Sequence, residues 1–360
     1  MIDLPKDFLK GSIPPLVTPF KDGAVDYDTF AELIEHQIRE GSHGILVNGT
    51  SAEPSTLSVE ERNKTVDVAV EVAKGRLPVV AATGSQSHAE TVALTEHAQK
   101  AGADALLIVT PYYIRPPQRG LAAYYIDLGK RTDLPMMIYH IPGRTAISVT
   151  LETLERIAEA TPHFVGIKHA VNDLGFVSEM LDRFGFDFRV HVGLEELSFP
   201  MLCIGAAGMM NAVGNVAPAK VAALYNAVAA GDLAKGRRLH YELFELNKSV
   251  FFDTNPICVK YMMKRLGLLR NNEHRLPMMP ATPEVEERLD GVLLRAGLIQ
   301  EAFDGLDQFL ILKRLLEILL PCFPVVRLRN IGCPDDHARN IFEAFSFLRT
   351  ALQFLAVNYY

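Results

Sequence analysis

One lysine in this chain stands in a setting that could make it a nucleophile. In FVGIKHA, 164 to 170, a period of two places Gly166 and Lys168 on one face and Val165 and Ile167 on the other. The apolar pair would then face surrounding helices, with small Gly166 leaving room below a lysine that points inward. A buried lysine among apolar walls loses basicity and can offer the neutral amine that attacks a ketone. An isolated lysine at a strand end more often snorkels to solvent, so the reading depends on its company. Tyr139, in IYHIP, could relay protons as a general acid and base, although a lone tyrosine is more often an amphipathic core residue. Gly49, Thr50 and Ser51 offer hydroxyls and turn N–H groups that could cradle a carboxylate; turn or cap chemistry explains the same residues equally well. Arg144, in IPGRT, could clamp a second carboxylate with parallel donors, where a surface ion pair is the plain alternative. Prolines stiffen TPYYIRPP, which presents Tyr112 and Tyr113 as either a site or an interface. His140 and His169 follow the tyrosine and the lysine. They read as satisfied histidines, because no carboxylate or second histidine falls at ligand spacing, and neither a metal nor an organic cofactor is expected.

What must position these groups is a repeat of strand and helix. Short apolar runs with β-branched residues fall at 12–20, 44–50, 78–84, 105–111, 135–142, 164–170, 189–193 and 208–214. Each precedes a stretch with helical spacing, such as YDTFAELIEHQIREG, and several of those stop at glycine. Eight such units in succession predict an α/β fold, a closed (β/α)8 TIM barrel over residues 1–230. A doubly wound sheet is the lesser alternative; GxGxxG after the first strand and GxxxxGK[ST] anywhere are both missing. In a barrel, catalytic groups project from the C-terminal ends of strands and the loops that follow, which is where the segments above fall. Residues 231–299 read as helix only, a C-terminal helical appendage. Residues 300–360 are dense in Leu and Phe around a Pro- and Cys-rich kink, and predict extra packed helices or an oligomer contact.

Charge and composition disfavour several classes. Apolar residues make up 49% of the 360 and charged ones 22%, the balance of a globular protein with a sizeable core. A net charge of −7 and the lack of a basic run with interleaved aromatics argue against a nucleic-acid partner. The most apolar stretch, 309–328, is broken by Lys313, Arg314, Glu317, Pro321 and Pro324, which argues against a membrane span. The N-terminus lacks the order of a signal peptide, so a cytoplasmic protein is expected. Cys203, Cys258, Cys322 and Cys333 form no CxxC or metal spacing and are expected as reduced, buried thiols.

Taken together, LVTPF, NGTSAEPSTLS, TPYYIRPPQRGL, LPMMIYHIPGRT, VGIKHA and NPICVKYMMKRLGL, in order from Gly11 to Ile299, resemble the dihydrodipicolinate synthase and N-acetylneuraminate lyase family. The resemblance implies a class I lyase with a pyruvate Schiff base on Lys168 and Tyr139 as proton shuttle. Gly49, Thr50 and Ser51 would hold the pyruvate carboxylate, and Met210 joins the implied substrate pocket. In the synthase branch a tyrosine from the neighbouring subunit completes a relay through the threonine hydroxyl, and Tyr113 occupies that position here. Arg144 matches the arginine that receives the carboxylate of aspartate semialdehyde. The implied reaction is condensation of pyruvate with L-aspartate-4-semialdehyde, at the entry to lysine and diaminopimelate synthesis, in a homodimer or homotetramer.

Three positions depart from the family pattern: Ala52 where glycine is usual, His140 for an asparagine, and His169 for an acid after the lysine. None removes a catalytic group, but all are expected close enough to reshape the acceptor pocket. A related pyruvate aldolase or 2-keto-acid dehydratase acting on a sugar-derived acid therefore stays open. A catalytically silent ligand sensor is a further alternative, which loss of Lys168 or Tyr139 would have favoured. Val59, Arg62 and Gln86 stand where some lysine-inhibited relatives use histidines and an asparagine, and only Glu90 and Tyr112 match. Feedback inhibition by lysine is thus expected to be weak or absent.

Overall fold

A computed structural model describes residues 1–300; the tail helices expected after residue 300 lie outside the described residues. Eight parallel strands form one sheet: β1 Gly11–Ser12, β2 Ile45–Val47, β3 Val79–Ala82, β4 Ala105–Val109, β5 Met136–His140, β6 Phe164–His169, β7 Arg189–Val192 and β8 Gly208–Met209. Neighbours pair in order from β2 to β8, β8 pairs with β1, and a parallel bridge between Pro15 and Leu46 closes the ring. Around it run α1 Tyr27–Arg39, α2 Val59–Ala73, α3 His88–Ala101, α4 Gln118–Gly129, α5 Leu151–Ala160, α6 Leu174–Phe184, α7 Ser198–Cys203 and α8 Pro218–Ala229. The expected (β/α)8 barrel is therefore the fold. Helices α9 Leu233–Ser249, α10 Ile257–Arg265 and α11 Pro283–Arg295 follow it.

Local chemistry sets these boundaries. Asp26, Ser58, Ser87, Thr150 and Asp173 each cap a helix by accepting a backbone N–H of its first turn. Ser58 and Glu61 do so reciprocally, which fixes where α2 begins after the GTSAE turn. The first and last expected strands are shorter than their apolar runs. Pro14, Pro15 and Pro19 bring no N–H to a ladder, and Phe20–Lys21 leaves the barrel to pair with Ala24–Val25 in an antiparallel hairpin. Its turn is Asp22 and Gly23, both left-handed, at φ 52 and 78. Beyond Met209 the chain bends into a 3-10 turn at Ala212–Asn215.

Alternation along the strands divides the apolar residues into two sets. Met136 and Ile138 of β5 pack against the helices, while Met137 and Tyr139 fill the barrel interior with Leu46, Leu107 and Met210. Strand β6 breaks the expected period. Its pairing with β5 slips between Met136 and Met137, so Val165, expected outside, joins the interior, while Ile167 stays outside. Gly166 lies at this bulge, where an added Cβ would sit 2.3 Å from the Arg189 carbonyl oxygen. The glycine thus makes room for β7 rather than for the lysine.

The apolar stretch 309–328 lies outside the described residues, and of the four cysteines two lie within them. Cys258 is buried, but Cys203 is exposed at the end of α7, on the side away from buried Met201 and Leu202; both are free thiols. Cys322 and Cys333 lie outside the described residues. Among the described residues no helix is long and apolar enough to cross a membrane.

Candidate active site

Lys168 and Tyr139 face each other in register near the C-terminal ends of β6 and β5. Both are buried, and the Lys168 Nζ lies 4.4 Å from the centroid of the Tyr139 ring. Across the barrel mouth, the turn after β2 brings the Thr50 hydroxyl to 3.5 Å from the Tyr139 phenol oxygen. That exceeds the roughly 2.7–2.8 Å of a tight hydroxyl pair, so the contact is aligned but loose. Gly49, Thr50, Tyr139 and Arg144 line one cavity of about 670 Å³. Met210, at the end of β8, is buried in the interior cluster that also holds Tyr139.

Ser51 takes a different position from the one its motif suggests. Its hydroxyl is buried against the Asn255 side chain, which donates to it at 3.1 Å, so it faces protein rather than the cavity. Among the described residues the Thr50 and Ser51 N–H groups have no backbone acceptor, as befits the first turn of the 3-10 helix Thr50–Ala52. Ala52 is tolerated because the left-handed residue of this turn is its neighbour, Glu53, at φ 55. Arg144 sits exposed on a short helix, Pro142–Thr145, and no ion pair engages it among the described residues. Tyr113 stands apart. It is 86% exposed, with a left-handed φ of 74, and does not line the cavity within this chain.

His140 and His169 follow Tyr139 and Lys168 on the same paired strands, and alternation turns them to the helix side. They pack there on Phe176 and do not line the cavity, so any influence they have on the acceptor pocket passes through Tyr139 and Lys168 beside them. Their Nδ1 atoms lie 3.2 Å apart. The Val149 N–H donates to His140 Nε2 at 3.3 Å, so a neutral His140 carries its proton on Nδ1 and donates it to His169. Sequence spacing hid this pair, because the cross-strand register that joins the two is invisible in a single sequence.

Burial holds three histidines well below their ordinary value of 6.5: His140, His169 and His191 each fall to about 4, and for His140 the neighbouring His169 adds to the effect. Between 6.5 and 4 the unfolded chain takes up protons that the folded chain refuses, so stability is full above 6.5 and falls as pH drops through this window. Glu195, whose carboxyl burial pushes up, works in the opposite direction. The net expectation is a lower unfolding free energy, and so a lower urea midpoint, at about pH 5 than at about pH 7.5. A midpoint that does not move would show that these imidazoles are not excluded from water.

A closed barrel whose mouth gathers a buried amine, a phenol and a hydroxyl-bearing turn is the frame of an enzyme. The chain belongs to the dihydrodipicolinate synthetase family, which it matches over residues 8–296. It is 41% identical over 291 residues to the 4-hydroxy-tetrahydrodipicolinate synthase of Thermus thermophilus, a match covering 81% of this chain and 97% of the relative. The crystal structure of dihydrodipicolinate synthase from Aquifex aeolicus is similar at a TM-score of 0.79 and 39% identity, covering 81% of this chain and 99% of that one. The chloride-inhibited enzyme from Acinetobacter baumannii, complexed with pyruvate, is similar at a TM-score of 0.78 and 34% identity, over 81% of this chain and all (100%) of that one.

Proposed function

We propose that this protein condenses pyruvate with L-aspartate-4-semialdehyde to 4-hydroxy-tetrahydrodipicolinate through an imine on Lys168. The observation that carries this reading is the cluster at the barrel mouth, where a buried lysine amine lies beside a phenol that is itself aligned with the Thr50 hydroxyl. The names of the relatives, and the pyruvate held by the Acinetobacter enzyme, support the same ketoacid. In this scheme the neutral Lys168 amine attacks C2 of pyruvate, and the carbinolamine oxygen leaves as water with a proton from Tyr139. Loss of a C3 proton gives the enamine, whose C3 attacks the aldehyde carbon while the relay returns a proton to the new alkoxide. The amine of the second substrate then attacks C2, closing the ring and releasing Lys168. Free N–H groups at Thr50 and Ser51 suit the pyruvate carboxylate, and Met210, buried in the interior cluster with Tyr139, stands behind the site. Tyr113, exposed on its own chain, completes the relay in a second copy of a homodimer or homotetramer.

Borohydride tests the covalent step, because only an imine bearing the ketoacid is reduced to a stable amine. Wild-type protein treated with pyruvate and borohydride should gain one reduced pyruvate on the peptide carrying Lys168, read by mass spectrometry. An adduct on another lysine, or none from active protein, would falsify the mechanism.

Lysine should inhibit weakly or not at all. Buried Arg62 pairs with Glu90 at 3.2 Å and donates to the Ala82 and Gly84 carbonyls at 3.1 and 3.3 Å. The one acid that matches lysine-inhibited relatives is thereby already neutralised, beside a cation that repels an ammonium. Titration of initial rates with L-lysine checks this, and half-inhibition at micromolar concentration would refute it.

A further inference from the structure

The Thr50–Ser51 turn is not held in shape by its own residues. Two non-glycine residues in the left-handed region bracket it, Asn48 at φ 59 and Glu53 at φ 55. Such conformations persist only where the surroundings over-determine them. At Glu53 the surroundings come from the far end of the chain. Its carboxylate Oε1 accepts from the Lys260 ammonium of α10 at 2.9 Å and from His274 Nδ1 at 3.1 Å. All three side chains are shut off from water, at 1% exposure or less. The other carboxylate oxygen, Oε2, is buried without a partner, so the charged grip on the turn runs through Oε1 alone. Burial works to raise the Glu53 carboxyl, yet the His274 hydrogen bond and the Lys260 charge hold it below its ordinary value.

A second contact repeats the arrangement one turn earlier, where Asn255, just before α10, donates to the Ser51 hydroxyl at 3.1 Å. A third lies one turn later, where Arg275 donates to the Thr56 carbonyl at 3.0 Å and grips Glu61 at 2.7 Å through both terminal nitrogens. The segment from Asn255 to Arg275 therefore holds the chain at Ser51, Glu53 and Thr56, all immediately C-terminal to Thr50. Glu53 and Asn255 border the cavity that holds Thr50 and Tyr139, whereas Lys260, His274 and Arg275 do not line it. A buried, paired charge holds geometry more than it adds stability, since apolar residues of equal volume would often stabilise as well.

We infer that Glu53, Lys260 and His274 are positioning residues for the ketoacid half of the reaction, through which the C-terminal helices set the placement of the Thr50–Ser51 turn. The inference rests on the proposed role of that turn in holding pyruvate. In a ping-pong scheme, kcat/KM for pyruvate reports enamine formation and kcat/KM for the aldehyde reports its capture, so the two halves can be read separately. Displacing the turn by a fraction of an ångström to an ångström should lower the first by about tenfold to 10²-fold. Capture starts from a covalently anchored enamine and needs the turn only for the Thr50 hydroxyl of the relay, so it should fall less than enamine formation does.

Lys260→Met in the full-length chain is the direct variant, with melting temperature measured beside the kinetics. Because it leaves a buried carboxylate without its main partner and can unfold the protein, Glu53→Gln/Lys260→Met is made with it, which keeps the volume and removes both charges. The expected result is a double variant that melts near the wild type and still shows the depressed kcat/KM for pyruvate. Recovery of both melting temperature and pyruvate kinetics would overturn the inference and leave a purely structural ion pair. Equal loss in both half-reactions would overturn it as well. Failure of the underlying reading looks different: wild-type protein would not be trapped by pyruvate and borohydride at all.

Discussion

Tyr139→Phe lowers kcat by about 10²–10⁴, the usual worth of a positioned acid and base. The substitution isolates chemistry from packing. Tyr139 is buried in the barrel interior, and its ring lies 4.4 Å from the Lys168 Nζ, so phenylalanine keeps the volume and the face beside the amine. What disappears is one oxygen, the atom that meets the Thr50 hydroxyl. Under the proposed scheme that oxygen protonates the departing carbinolamine hydroxyl and later the new alkoxide, so both half-reactions slow. Water replaces such a donor poorly in a site this enclosed. Single-turnover formation of the reduced adduct should slow with kcat, and circular dichroism should show an unchanged fold. A variant within a few-fold of wild type would remove Tyr139 from the relay.

The pairing of Tyr139 with Lys168 was legible because each sits in an apolar strand followed by a helix, and alternation near a strand end aims such groups at the barrel mouth. The order of the strands was legible for the same reason. Other features answer to register and distance. Alternation alone put Val165 on the helix side, and the slip beside Met136 moved it inside without disturbing Lys168. His140 and His169 are 29 positions apart, and they become partners only once β5 and β6 are aligned. Glu53 and Lys260, 207 positions apart, were both visible inside quoted motifs. Neither motif carries a sign that the two touch, although a glutamate in a turn and a lysine on an otherwise buried helix segment are the kind of charges that need partners. Ser51 was legible by type and place, but its packing was not, since Asn255, 204 positions away, donates to the hydroxyl.

Arg144→Ala should lower kcat/KM for aspartate semialdehyde on the order of 10²–10³-fold, the cost of losing a charged two-donor contact to a carboxylate. The geometry favours a substrate role over a structural one. The arginine lines the same cavity as Tyr139 and Thr50, and no acid among the described residues engages its guanidinium. Its backbone is fixed by a hydrogen bond from its N–H to the Ile141 carbonyl at 2.9 Å, so removing the side chain should leave the short helix in place. Borohydride trapping of pyruvate at Lys168 should survive, because that step uses other groups. If the guanidinium only binds the acceptor, KM rises alone; if it also orients the aldehyde for attack, kcat falls with it. Arg144→Lys keeps the charge without the paired donors and should fall between wild type and alanine. The measurement is kcat/KM for aspartate semialdehyde beside uncharged and sugar-acid aldehydes, in wild type and both variants. Equal losses on charged and uncharged aldehydes would make Arg144 a structural residue. A wild type that ignores aspartate semialdehyde but turns over another 2-keto acid would replace the synthase reading with that of a related aldolase or dehydratase, in which Lys168 and Tyr139 keep their roles and the acceptor changes.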